Sequence, residues 1–219
     1  MRLKPVIVCG TDFSGTSLVA GLLHEAGIDM GDIETEEEVR DGQTLLPYMT
    51  YECQIYRESV AVLPARALSG EPLEGEWVNE LVDTFQAYTE FRNTSKARWG
   101  FKNNGLVHLA LDNRINYEDY DWVLVTRPFD ESYRSCKKYL GNDPRYFTVL
   151  IKHHGAVFQW VKSPRPKIVI EYNRLLANPE TETNRLLVSL GITPSDEHKL
   201  VDPVQKGVLT WHGLQLGHR

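Results

Sequence analysis

The sequence predicts an α/β fold: a central parallel sheet covered by helices on both faces, a three-layer sandwich. Three observations predict it. Short apolar, largely β-branched runs near 4–9, 98–101, 122–127 and 167–171 read as strands. Amphipathic stretches near 16–26, 50–62, 76–94, 105–112, 129–140, 144–161 and 178–190 read as helices. Strands separated by helices pair in parallel and need cover on both faces. A chain of 219 residues, 42% hydrophobic, can bury a sizeable core. The connections at 63–75 and 163–166 are too short to divide it, so residues 1–219 are expected to form a single domain.

The elements follow in order. VIVCG is the first strand, and the charged-then-apolar start MRLKPVIVCG is read as that strand rather than as a leader, its apolar part being too short. SLVAGLLHEAG continues it as a helix. The acidic run Glu34 to Glu38 reads as a solvated loop or a helix start. Between Glu76 and Phe91, the side chains Trp77, Leu81, Phe85 and Tyr88 recur at helical steps and mark a core face. WVLVTR, Trp122 to Arg127, is the best later strand. Pro128 after it suits the first turn of a helix, in which Phe129, Tyr133, Cys136 and Leu140 form the buried face and Arg134, Lys137 and Lys138 the solvated one. His153 and His154 are adjacent in a helix and so do not share a face.

Two motifs carry chemistry. The first is GTDFSGTS, residues 10–17, between the first strand and its helix. Gly10 and Gly15 have the spacing of G-x-x-x-x-G-K-[ST], in which glycines let the backbone approach a phosphate and the orphan N–H groups of the helix point at it. Gly10, Ser14, Gly15, Thr16 and Ser17 are therefore candidate anion-binding residues, and with this loop the architecture is P-loop NTPase-like. The alternative is a tight strand–helix turn. Thr16 stands where the lysine that reaches the outer phosphates of a nucleoside triphosphate would be. The second motif is Arg127 at a strand end with Ser135 eight residues on, about two helical turns away. A guanidinium fork and a hydroxyl so placed can reach one phosphate. A strand ending in Thr126 and Arg127, not in Asp, suits a second anion rather than a metal.

GTDFSGTSLVAGLLHEAGIDMGD, VLVTRPFDESYRSCKKY and IVIEYNRLLANPETETNRLLVSLGI, taken together and in this order, resemble a sulfotransferase of the small bacterial type. The resemblance spans most of the chain. It implies the sulfotransferase fold and 3′-phosphoadenosine 5′-phosphosulfate as co-substrate. It further implies that the first loop cradles the 5′-phosphosulfate and that Arg127 and Ser135 hold the 3′-phosphate. The family carries Lys or Arg where this chain has Phe13, beside Asp12. ARWGFKNN resembles a family segment whose lysine points into the active site, which makes Lys102 a candidate catalytic cation; otherwise it is a surface lysine at a strand end. TYECQIYRE resembles the family's acidic segment, so Glu52 is the first candidate for the general base, against an exposed helix-surface glutamate. His108, in the apolar stretch GLVHLALD, is the second. Lys206, in VDPVQKGVLTWHG, either approaches the nucleotide or is an exposed tail lysine.

Composition bounds the rest. A net charge of −6 speaks against broad nucleic-acid binding. Three separated cysteines, Cys9, Cys53 and Cys136, argue against a disulfide framework and for a reducing, cytoplasmic setting. No apolar run reaches the roughly 20 residues of a membrane span, and no His/Cys set has the spacing of a metal site. The expected partner is a small-molecule or glycan acceptor with a hydroxyl or amine, and no metal is expected. Two other functions fit the same residues: a non-catalytic nucleotide- or anion-binding protein, which Phe13 favours, and a P-loop small-molecule kinase, which Thr16 disfavours.

Overall fold

The computed structural model describes residues 3–31, 34–36, 39–40, 43–44, 48–50, 74–95, 97–140 and 144–193. In chain order the elements begin with β1 (Val6–Gly10) and α1 (Thr16–Glu25), followed by four short strands, β2 (Glu34–Glu36), β3 (Val39–Arg40), β4 (Gln43–Thr44) and β5 (Tyr48–Thr50). Then come α2 (Glu76–Arg92), β6 (Gly100–Lys102), α3 (Leu106–Leu111), β7 (Asp121–Thr126), α4 (Phe129–Leu140) and α5 (Pro144–Lys162). The described chain closes with β8 (Ile168–Glu171), α6 (Tyr172–Ala177) and α7 (Pro179–Ser189).

The central sheet has the order β6-β1-β7-β8, and every pairing in it is parallel. From β1 the chain moves to β6 on one side, then crosses to β7 on the other. The carboxyl ends of β1 and β7 therefore flank the switch point, where open parallel sheets leave a crevice. The loop of residues 10–17 follows β1, and Arg127 follows β7. The sheet's twofold side-chain alternation fills two cores. Ile7, Cys9, Phe101, Trp122 and Leu124 pack with α2, α3 and α5 through Phe85, Leu106 and Trp160. Val6, Val8, Val123, Val125 and Ile170 pack with α1, α6 and α7 through Leu22, Leu175 and Leu186. These are the expected three layers.

At the end of the sheet remote from the crevice, Arg98 ties three segments together. Its Nε donates to the Lys4 carbonyl at 2.9 Å, its Nη1 to the Leu190 carbonyl at 2.6 Å, and its Nη2 to Asp121 Oδ2 at 2.6 Å.

Three expectations change. The acidic run is neither loop nor helix start at Glu34–Glu36, which pairs antiparallel with Tyr48–Thr50. Threonine and tyrosine in these segments suit an extended backbone. The helix expected near 50–62 cannot include Thr50, which ends β5, and its remainder lies outside the described residues. The six-residue α6, not anticipated, runs straight from β8. No described helix is long and apolar enough to cross a membrane.

Candidate functional site

The loop after β1 is shaped by what its glycines allow. A Cβ on Gly10 would lie 2.4 Å from the Val125 carbonyl oxygen, so only glycine lets the chain turn this close to β7. Gly15 has φ +94°, and a Cβ there would lie 2.1 Å from the Tyr172 ring. Gly15 opens α1 without a side-chain cap, which leaves the first-turn N–H groups as donors. Ser14 is fully buried and its N–H donates to the Thr11 carbonyl at 3.1 Å, which braces the loop from inside, and Thr16 is buried beside it. Gly15→Ala is expected to cost about 1–2 kcal/mol of stability from the backbone alone, read from the denaturation midpoint. It is also expected to abolish anion binding, because Tyr172 must move. Unchanged stability contradicts the tight loop.

Phe13 has φ 61°, a left-handed conformation that costs a bulky residue energy. Its carbonyl accepts from Arg127 Nη1 at 3.1 Å. Phe13 thus serves the site through its backbone, joining the loop to the end of β7. The positive charge missing from the loop arrives from β6. Lys102 is buried, and its Nζ donates to Ser17 Oγ at 3.3 Å. The next residue, Asn103, accepts the N–H groups of Gly105 and Leu106 at 2.8 and 3.2 Å. That cap turns the chain sharply into α3 just beyond Lys102.

Arg127 is held on four sides. Nε donates to Glu131 Oε2 at 3.1 Å, Nη1 to Ser135 Oγ at 3.2 Å as well as to Phe13, and Cζ stacks 4.8 Å from the Tyr172 ring centroid. Glu131 is fixed in turn by Asn173, whose Nδ2 donates to Oε1 at 2.9 Å. Arg127 Nη2 has no partner among the described residues. The two motifs therefore converge, with Arg127 and Ser135 in direct contact and tied to the loop.

A second polar group lies behind the loop. Asp12 Oδ1 accepts from Asn104 Nδ2 at 2.7 Å, and Oδ2 is 3.9 Å from His153 Nδ1. His153 packs against His108 with ring centroids 4.9 Å apart and the rings tilted by 59°. His108 Nε2 and both ring nitrogens of His153 are buried without hydrogen-bond partners. Burial, and secondarily the neighbouring His153, pushes the His108 pKa down from 6.5 to about 4; Asp12 opposes this. His154, on the other side of α5, packs edge-on to Phe129 and is also lowered by burial. Cys136 is a core residue whose pKa is raised, chiefly by burial.

His108 has a measurable consequence. Between pH 6.5 and about 4 the unfolded chain binds the His108 proton and the folded one does not. Stability therefore falls as the pH is lowered from 6.5 to about 4. Wild type is expected to lose roughly 2 kcal/mol more than His108→Leu there, measured by urea unfolding at several pH values. A difference that does not vary with pH contradicts this.

Of the sequence candidates, the structure brings together Gly10, Ser14, Gly15, Thr16, Ser17, Lys102, Arg127 and Ser135. His108 sits behind them, beside His153. Glu52 and Lys206 lie outside the described residues. Sequence reading missed Tyr172, Glu131 and Asn104. Glu131 was findable, being four residues from Arg127 on one helix face, and so was Tyr172, as the residue following a parallel strand.

No protein-family model and no curated protein matches the chain. Solved structures do. A sugar kinase from Janibacter superposes with a TM-score of 0.55 at 17% identity, over 89% of this chain and 98% of that one. The sulfotransferase domain of the olefin synthase from Synechococcus gives 0.54 at 16%, over 92% and 78%. A sulfotransferase from Mycobacterium avium gives 0.54 at 11%, over 96% and 68%. At such identities the likeness is one of fold, shared with sulfotransferases and with a sugar kinase.

Proposed function

We propose that this protein transfers a sulfuryl group from 3′-phosphoadenosine 5′-phosphosulfate to a hydroxyl or amine acceptor. The observation that carries the reading is the meeting of two anion-binding groups at one switch point: the row of free N–H groups opening α1, and the Arg127–Ser135 pair bonded to the same loop. A nucleotide with separated 5′ and 3′ anionic groups fits such a pair. The close backbone turns at Gly10 and Gly15 provide the cradle that the 5′ end requires.

When bound, the co-substrate supplies an activated sulfuryl group. The loop N–H groups and Ser17 hold its 5′ end. Arg127 and Ser135 hold the 3′-phosphate and so fix the register of the nucleotide. Lys102 offsets negative charge developing on the bridging oxygen, a task suited to a buried ammonium held against Ser17. The acceptor is expected to be a small molecule or glycan.

The Janibacter neighbour speaks for a kinase, but Thr16 occupies the lysine position and its side chain is buried. Thermal unfolding separates the two. Adenosine 3′,5′-bisphosphate at about 100 times its Kd is expected to add about 2.7 kcal/mol, a rise of several degrees in Tm. ATP with Mg²⁺ is expected to give less. The reverse ranking favours the kinase. A shift with the bisphosphate but no sulfate transfer to any acceptor leaves a non-catalytic binding protein.

A further inference from the structure

Asp12 is placed against the interest of an anion-binding loop, since a carboxylate there repels the ligand that the N–H row attracts. Its surroundings give it another use. Oδ1 is fixed by Asn104 Nδ2, which sits two residues beyond Lys102. Oδ2 makes no hydrogen bond among the described residues, and the side chain is 39% exposed. Behind Oδ2 lies His153, 2% exposed, with two orphaned ring nitrogens. Burying such nitrogens unpaired costs roughly 1–3 kcal/mol each.

Resting on the sulfuryl-transfer reading, we infer that Asp12 is the general base that takes the acceptor's proton, and that His153 is a positioning residue acting through it. One oxygen is held still while the other, on a partly exposed side chain, lies 3.9 Å from an imidazole nitrogen. As the acceptor oxygen bonds to sulfur, the bond from sulfur to the bridging phosphate oxygen breaks. The bisphosphate leaves with that electron pair, and the acceptor's proton passes to Asp12 Oδ2. His153 lies within electrostatic reach of the new carboxylic acid. The other titratable groups that act on this cluster are His108 on α3, Lys152 on α5 and Cys136 on α4.

The test uses the full chain as wild type, Asp12→Asn and His153→Gln. Calorimetry gives affinity for adenosine 3′,5′-bisphosphate. Loss of radiolabelled sulfuryl from the co-substrate, to water and to a panel of phenols, alcohols and amines, gives turnover across pH. Asp12→Asn is expected to bind the bisphosphate at least as tightly as wild type, having lost a repelling charge, while turnover falls roughly 100-fold. His153→Gln is expected to lower kcat with KM and bisphosphate affinity unchanged. If it does not fold, Asp12→Asn, isosteric and partly exposed, carries the test alone. The assignment is overturned by unchanged turnover in Asp12→Asn, by an equal loss of affinity and turnover, or by a wild type that binds the bisphosphate yet moves no sulfuryl group. A wild type that does not bind the bisphosphate overturns the functional reading itself, which distinguishes the two failures.

Discussion

Replacing Lys102 by methionine is expected to lower sulfuryl transfer by about 10²–10³-fold while changing affinity for adenosine 3′,5′-bisphosphate by less than about tenfold. Methionine fills most of the buried volume that alanine would empty, so the comparison isolates the charge. The argument is one of timing. The bridging oxygen is nearly neutral while the co-substrate is bound and becomes anionic only as its bond to sulfur breaks. A buried ammonium fixed against Ser17 needs no reorganisation at that moment. Its contribution therefore falls on the rate and not on product binding. Steady-state kinetics beside calorimetry reads the split. Equal losses in both would make Lys102 a binding residue, and no loss in either would remove it from the site.

Arg127→Ala is expected to weaken adenosine 3′,5′-bisphosphate by about 1.5–3 kcal/mol and to leave adenosine 5′-phosphate nearly unchanged. Four contacts orient the guanidinium: Glu131 on Nε, Phe13 and Ser135 on Nη1, and the Tyr172 ring beneath. Nη2 is left to the ligand. Because Arg127 also holds the loop through Phe13, Ser135→Ala serves as the milder partner, expected to cost about 0.5–1.5 kcal/mol on the bisphosphate alone. If both nucleotides weaken equally in Arg127→Ala, the arginine supports the loop and does not read the 3′-phosphate.

What was legible in the sequence was what local pattern encodes. The runs VIVCG and WVLVT are rich in β-branched residues, and both became strands within two residues of the expected limits. The aromatic stripe of α2 packs inward as its spacing implies, with Leu81 and Phe85 in the core. Arg127 and Ser135 meet because two helical turns bring them to one face. Local pattern was silent elsewhere. The strands β2 to β5 are two or three residues long and too short to show a period. No glycine or proline separates IVIE from YNRLLA, so α6 was hidden in the strand that leads to it. The pairing of Asp12 with His153 and the packing of His153 against His108 come from the docking of α3 and α5 beside β1, a tertiary fact without a local signal.

Lys102 shows how one motif can be completed by another. Taken alone, GTDFSGTS lacks its lysine, and Phe13 lacks the basic character of the resembled family. In the folded chain β6 lies directly beside β1 and ends at Lys102, which reaches Ser17 two residues into the helix. The charge is supplied across the sheet instead of along the loop.

The central claim is that the loop and the Arg127–Ser135 pair hold the two ends of one nucleotide. A crystal structure of the protein with adenosine 3′,5′-bisphosphate tests it most directly. The account predicts the 5′-phosphate within about 3 Å of the N–H groups of Gly15, Thr16 and Ser17, and the 3′-phosphate within the same distance of Arg127 Nη2 and Ser135 Oγ. A nucleotide whose 3′-phosphate points to solvent, with Arg127 still bonded only to Glu131, Phe13 and Ser135, would contradict it.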